Sequence, residues 1–249
     1  MNILKKALHS KKIIAAAVTL LVLAAILAVA CIWLGDYYPA DAAVIEACAA
    51  ESQIPLQTAA DGTVSLVPEG ATKGFIFYPG GKVEHTAYLP LMYALAEEGI
   101  LCVLVEMPLR LAVLDMAAAD GIRERYPAIT EWYVGGHSLG GAMAASYLSE
   151  HTDDFRGLVL LGAYSTADLS DSSPRVLSVY GSEDRVMNRE KYEKNKGNLP
   201  QGFTELVLEG GCHAYFGAYG PQKGDGTPTV TREEQTRATA RAIAAMIHE

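Results

Sequence analysis

The stretch Glu131–Ala145, EWYVGGHSLGGAMAA, changes its period at a single serine. Residues Glu131–Gly135 form a short apolar run, the pattern of a strand buried on both faces. Residues Gly140–Ser149 are small and apolar at helical spacing. Between them lies Gly136-His137-Ser138-Leu139-Gly140, a G-x-S-x-G turn set between a strand and a helix. Such a turn is tight and holds its central residue in a strained backbone conformation. Glycines on either side let strand and helix approach without a Cβ clash. The turn predicts that Ser138 stands exposed at the top of a sheet. The helix that follows points the positive end of its dipole at the same place, which favours an oxyanion there.

On both sides of this turn, apolar strands alternate with helices. Upstream, the pattern predicts a helix over Asp41–Gln53 and a hairpin of Gln57–Ala60 with Val64–Pro68, split by Asp61-Gly62. It then predicts strands at Gly74–Tyr78 and Ile100–Glu106, with a helix over Tyr88–Glu98 between them. A helix over Ala112–Tyr126 is predicted to stop before Pro127. Downstream, strands are predicted at Leu158–Ala163, Arg175–Tyr180 and Thr204–Leu208. Helices are predicted at Arg189–Lys196 and Thr231–His248. This alternation implies an α/β fold with a mostly parallel sheet covered on both faces, whose site lies beyond the carboxyl ends of the strands.

A serine hydroxyl is a poor nucleophile at neutral pH and needs a base, and the base needs an orienting acid. Two strand ends after Ser138 supply them, the acid first and the histidine second. Asp184 follows Arg175–Tyr180 in Gly181-Ser182-Glu183-Asp184, with Glu183 as its nearest competitor and Asp168 and Asp171 behind it. His213 follows Thr204–Leu208 in Glu209-Gly210-Gly211-Cys212-His213, whereas His151 falls on a helix end and His248 at the C-terminus. An oxyanion needs two fixed N–H donors. Leu139 offers one. The loop Pro79-Gly80-Gly81-Lys82 after the first parallel strand offers the other, at Gly81 by position or at Lys82, since Pro79 has no N–H. Cys212 beside His213 forms a Cys–His pair in sequence, but side chains of neighbouring residues usually point apart.

The N-terminus has a different character. Ile13 to Leu34 is 22 residues without a charge, about 33 Å as a helix and enough to cross a bilayer core. Lys5, Lys6, Lys11 and Lys12 precede it and Asp36 follows it, which sets the remainder of the chain outside the cytoplasm. Residues 1–35 therefore read as a basic stub and anchor, and residues 36–249 as one α/β domain. Two rival readings release or lipidate the domain. Ala28-Val29-Ala30 resembles a signal-peptidase site, and Leu27–Cys31 resembles a lipobox with Ala where Leu is usual. The chain carries a net charge of −9. Without the four N-terminal lysines the remainder has 16 basic and 29 acidic residues, a net −13. That surface repels phosphate backbones, so nucleic acid is not an expected partner. The four cysteines, Cys31, Cys48, Cys102 and Cys212, show no CxxC pair and no metal spacing.

The segments YPGGKV (Tyr78–Val83), GGHSLGGAMAA (Gly135–Ala145), VYGSEDRV (Val179–Val186) and GGCHAYFGAYGPQKGDG (Gly210–Gly226) together resemble small bacterial α/β hydrolases. More narrowly they resemble the group related to dienelactone hydrolase that uses Ser in place of Cys. The resemblance spans about Tyr38 to the C-terminus, and its most distinctive part runs from His213 through Phe216, Tyr219 and Gly220 to Gly224-Asp225-Gly226. It implies an α/β-hydrolase fold of about eight strands and a triad of Ser138, Asp184 and His213, with no metal or organic cofactor. It implies no particular substrate, and none is read here beyond a small or surface-presented ester-like molecule. Only eleven residues separate Ala163 from Arg175, where many enzymes of this fold insert a helical lid. Leu109–Val113 is expected to form an apolar wall. Two alternatives stay open: an amide or thioester hydrolase of the same fold, and a non-catalytic surface binding module. The sequence leaves the oligomeric state undecided.

Overall fold

The computed structural model describes residues 2–249, with side chains from Ile14 onward. The chain divides between Tyr37 and Tyr38 into two compact units. The first is helix α1 (Asn2–Gly35), whose segment Ile14–Gly35 is unburied and long and apolar enough to cross a membrane. An N-terminal signal sequence also meets that description.

The second unit is built on one sheet of eight strands. These are β1 (Leu56–Thr58), β2 (Val64–Leu66), β3 (Lys73–Tyr78), β4 (Leu101–Leu104), β5 (Glu131–His137), β6 (Gly157–Leu161), β7 (Arg175–Gly181) and β8 (Thr204–Leu208). They lie in the order β1-β2-β4-β3-β5-β6-β7-β8. Only β2 is reversed: it pairs antiparallel with both β1 and β4, and every other pair is parallel. From β3 the chain first crosses to β4 on one side and then returns to place β5 on the other. That reversal opens a crevice at the carboxyl ends of β3 and β5, where ligands bind in open α/β sheets.

Side-chain alternation along the strands divides the core into two layers. Phe75, Phe77, Cys102, Leu104, Val159, Leu161, Leu177 and Val179 face one side. There they meet α3 (Leu89–Glu97), which follows α2 (Ala42–Glu51), and α7 (Arg232–His248), which follows α6 (Arg189–Asn195), through Leu95, Ile243 and Ile247. Ile76, Tyr78, Val103, Val134, Leu158, Leu160 and Val176 face the other side and meet α5 (Leu139–Glu150) through Ala144 and Leu148. Near-continuous apolar strands are what a sheet covered on both faces requires. Helix α7 starts on a capping box: Glu234 N–H donates to the Thr231 hydroxyl at 3.1 Å, and the Glu234 carboxylate accepts the Thr231 N–H at 2.7 Å.

The single helix expected over Ala112–Tyr126 does not form. The segment holds a 3₁₀ turn at Ala112–Leu114 and one helical turn, α4 (Ile122–Arg125). The Tyr78 hydroxyl accounts for the break. It donates to the Met116 carbonyl at 2.7 Å and accepts the Ala119 N–H at 3.0 Å. It thereby takes two backbone groups that an α-helix would pair with the Asp120 N–H and the Asp115 carbonyl. Gly121 then turns left-handed at φ 70°, which stops any continuation from the preceding residues.

Candidate active site

Strand β5 ends at His137 and α5 begins at Leu139, so one residue makes the whole turn. That residue, Ser138, adopts φ 53° and ψ −121°, a conformation that costs on the order of 1–3 kcal/mol for a residue with a side chain. Its N–H donates to the Leu161 carbonyl of β6 at 2.9 Å. The approach of strand and helix depends on Gly136: a Cβ there would lie 2.5 Å from the Tyr78 carbonyl oxygen and 2.7 Å from the backbone carbon of Gly140.

The Gly80–Lys82 loop follows β3 and lies beside this turn. A Cβ on Gly81 would come 3.1 Å from Leu139 Cδ2. The Gly80 N–H donates to the Tyr88 hydroxyl at 3.0 Å, and the Lys82 N–H donates to the Arg110 carbonyl at 2.8 Å. Both groups are therefore occupied. The N–H groups of Gly81 and Leu139 have no acceptor among the described residues. Of the two positions expected in this loop, Gly81 is the one with a backbone donor to spare.

Asp184 and His213 come from the ends of β7 and β8 and meet in the interior. His213 Nδ1 lies 2.8 Å from Asp184 Oδ2, and both side chains are 0% exposed. A carboxylate accepts only, so Nδ1–H donates and the lone pair is left on Nε2. Each partner is fixed from behind. Asp184 Oδ1 accepts the N–H groups of Val186 and Met187, both at 2.9 Å. Asp225 accepts the His213 N–H at 3.2 Å and the Ala214 N–H at 2.8 Å. From α7, Gln235 accepts the Cys212 N–H at 3.0 Å and donates to the Cys212 carbonyl at 2.8 Å. His213 Nε2 is buried and has no hydrogen-bond partner among the described residues. The hydrogen bond from Ser138 to His213 is thus not formed in this conformation. A buried acceptor without a partner is held at a cost of about 1–3 kcal/mol, which any hydroxyl turned toward it would recover.

Gly162, next to Leu161 and therefore beside Ser138, closes the arrangement. It adopts φ 52°, and a Cβ there would lie 2.9 Å from His213 Nδ1 and 3.0 Å from Asp184 Oδ2. Gly162→Ala is expected to displace the pair and to lower kcat by about 10²-fold, as a misplacement of about 1 Å does. The left-handed backbone costs that variant about 1 kcal/mol besides. Steady-state rates with a denaturant titration check both, and an unchanged kcat would mean that the His213–Asp184 pair is not used.

His137, the residue just before the serine, is a part of the site that the sequence reading passed over. It is 1% exposed and its ring centre lies 4.3 Å from that of His213. Its Nδ1 sits 2.8 Å from the Tyr88 hydroxyl. That oxygen already accepts from Gly80, so its proton goes to His137. Burial, and then the neighbouring His213, hold the His137 pKa well below the ordinary 6.5. A neutral ring in this position does not oppose positive charge on His213. The folded state binds this proton more weakly than the unfolded chain. Its contribution to stability is therefore complete above pH 6.5 and is lost as pH falls below that value toward the depressed folded pKa. Relative to His137→Asn, the parent is expected to lose about 1.4 kcal/mol per pH unit below 6.5. Paired denaturant titrations from pH 7 to 5 measure this, and parallel curves would show that His137 protonates within the folded protein.

The competing residues lie elsewhere. Glu183 pairs with Arg185 at 3.9 Å on the surface, Asp168 accepts from Ser170 in an exposed turn, and Asp171 is exposed. His151 stacks on Tyr147, and His248 reaches the Glu98 carbonyl. Cys212 is buried against the core layer of Val179 and Ile243, and its thiol is pushed up to about 12, chiefly by burial, far from a reactive thiolate. All four cysteines are free. Among the described residues no cluster of His, Cys, Asp and Glu fits a metal ion. Two surface concavities, one along Glu131, Trp132 and Arg156 and one along Arg175, Thr204 and Met246, lie at the amino ends of the strands. They are at the opposite end of the sheet from Ser138.

Residues 74–237 match the family model described as the alpha/beta hydrolase family. Several solved structures are similar. Dienelactone hydrolase from Anabaena variabilis matches with a TM-score of 0.60 and 13% identity, over 79% of this chain and 98% of that one. Est1E from Butyrivibrio proteoclasticus matches with a TM-score of 0.56 and 14% identity, over 80% and 100%. The monoacylglycerol lipase of Paleococcus ferrophilus matches with a TM-score of 0.57 and 14% identity, over 78% and 100%. At these identities the likeness is one of fold. No curated protein matches the chain.

Proposed function

The chain belongs to the alpha/beta hydrolase family, and on that premise we propose that it is a membrane-anchored serine hydrolase, a carboxylesterase that transfers an acyl group through Ser138 to water. The observation that carries this reading is the His213–Asp184 pair at 2.8 Å, with a partnerless Nε2, beside a serine at φ 53°. His213 takes the proton of Ser138 as Oγ attacks the carbonyl carbon. Asp184 holds the imidazole with Nδ1 protonated and stabilises the imidazolium that forms. The N–H groups of Gly81 and Leu139 receive the oxyanion. When the tetrahedral intermediate collapses, the bond to the leaving oxygen breaks and His213 returns the proton to it. Water, deprotonated by the same histidine, then releases the acid and restores Ser138. These side chains and water complete the chemistry.

Residues 164–174, between β6 and β7, contain no helix, so no helical lid stands at the usual place. That supports an open site taking small or surface-presented esters. The N-terminal helix serves in this reading as an uncleaved anchor with the hydrolase domain outside the cytoplasm, held by the lysines on the cytoplasmic side. The test is labelling of the protein with a fluorophosphonate probe, beside Ser138→Ala and His213→Ala. Labelling of the parent and its loss in both variants is expected. A folded parent that does not label would leave a binding module as the better reading.

A further inference from the structure

The hydrolase unit has five large apolar side chains that are exposed, and four of them fall within eight residues: Leu109, Val113, Leu114 and Met116, each between 46% and 56% exposed. The fifth is Leu56. Soluble surfaces scatter such residues singly, and a cluster marks a surface that meets something apolar. The segment also carries strain: Leu109 and Arg110 adopt φ 51° and 60° in succession. Two successive left-handed residues with side chains are sterically costly, and Leu109 does not gain burial in return.

The position of the cluster identifies what it meets. The Lys82 N–H donates to the Arg110 carbonyl at 2.8 Å, tying this segment to the loop that holds Gly81. Tyr38 is tied to the same loop. Its N–H donates to the Lys82 carbonyl at 2.8 Å, and its carbonyl accepts the Glu84 N–H at 3.0 Å. Between Tyr38 and Gly35, the last residue of α1, stand only Asp36 and Tyr37. Three Cα steps span at most about 11 Å. If α1 spans a bilayer, the oxyanion-side loop and its apolar neighbour are thus confined near the lipid surface by chain length alone. The net −13 of the residues after the anchor excludes attraction to anionic headgroups as the docking force, so the contact is an apolar one.

We propose that Leu109, Val113, Leu114 and Met116 dock into the lipid interface, and that the substrate is an acyl ester resident in that membrane, delivered to Ser138 from the lipid side. The docking rests on the anchor reading above, and the substrate class rests on the serine-hydrolase reading.

The experiment uses the full chain in phosphatidylcholine vesicles. A nitroxide is placed at position 114 by Leu114→Cys in a Cys31→Ser, Cys48→Ser background, since Cys102 and Cys212 are buried. A control nitroxide is placed by Asp153→Cys, at the amino end of β6 where the residue is exposed. The label at 114 is expected to collide more with oxygen than with an aqueous nickel chelate, and the control to show the reverse. Equal access of the chelate to both labels overturns the docking. Separately, Leu114→Glu with Met116→Glu is expected to lower hydrolysis of a long-chain ester embedded in the vesicles by about tenfold or more. The rate on a water-soluble butyrate ester should stay within about twofold. Equal effects on the two esters, or none on either, overturn the substrate class. If the parent fails to react with a fluorophosphonate, the serine-hydrolase reading falls, while the nitroxide result still decides the docking.

Discussion

Ser138→Ala is expected to lower kcat/KM on the best ester by about 10⁶-fold, a loss of about 8 kcal/mol in transition-state stabilisation. The size follows from what the serine supplies. In the proposed mechanism its oxygen forms the covalent acyl bond, and Cys212 beside His213 is no substitute, being turned into the core with its thiol pushed up to about 12. What remains in the variant is a direct attack by water, assisted by the Gly81 and Leu139 donors alone. Removing His213 as well should add little, since nucleophile and base act as one unit and their losses do not sum. Initial rates on a chromogenic ester for Ser138→Ala, His213→Ala and the double variant test this. Losses that multiply, or a loss for Ser138→Ala below about 10²-fold, would place the nucleophile elsewhere. The fold is not at risk in the serine variant beyond the strain at φ 53°, which alanine carries equally.

How much of this was legible in the sequence depends on how local each signal is. The turn at Ser138 was legible because its determinants, an apolar strand, flanking glycines and a small-residue helix, are contiguous. The strand ends that bring Asp184 and His213 together were legible because each follows its own apolar run. The helix expected over Ala112–Tyr126 fails for a non-local reason. The Tyr78 hydroxyl, thirty-eight residues before Met116, captures the carbonyl and amide that would have propagated it. In the sequence, position alone favours Gly81 over Lys82 for the same reason, since the Arg110 carbonyl that takes the Lys82 amide is visible only in three dimensions. Asp225 was in view as part of a motif, but its purchase on the His213 and Ala214 amides was not. Gly162 left only the weak trace of a glycine at a strand end. His137 lay inside the motif that decided the fold, unread, because the burial that keeps it neutral belongs to packing and not to spacing.

The hydrolase unit concentrates its strain and its unpaired polar atoms at one end of the sheet. Ser138, Gly162 and Lys82 all take positive φ there, and His213 Nε2 and His137 Nε2 are both buried without partners. Elsewhere the polar groups are paired even when remote: Tyr133 reaches the Ile247 carbonyl, and Lys73 reaches both that carbonyl and Glu131. That strained backbone and unpaired buried side-chain atoms coincide in this crevice supports placing the function there.

Asp184→Asn is expected to reduce kcat by about 10⁴-fold, or about 5.4 kcal/mol, while leaving KM and the fold nearly unchanged. The shape of the side chain is kept, so the two amides of Val186 and Met187, each 2.9 Å from Oδ1, dictate which way the new group turns. They demand an oxygen at that position. The Asn nitrogen must then take the place of Oδ2, 2.8 Å from His213 Nδ1, and it arrives there as a donor. Nδ1 has to accept, the ring proton moves to Nε2, and Nε2 can no longer take the proton of Ser138. The variant is thus disabled by a tautomer and not by a displacement. This predicts a specific contrast with Asp184→Ala, which removes the demand on the tautomer but leaves His213 loose and the two amides buried without an acceptor, at about 1–3 kcal/mol of stability each. Asp184→Asn should unfold at nearly the parent's denaturant midpoint and Asp184→Ala well below it. Proton NMR of the His213 ring in the folded Asn variant should find the proton on Nε2. If it is found on Nδ1 and kcat falls by no more than about 10-fold, the orienting acid is a different residue and the assignment of Asp184 is wrong.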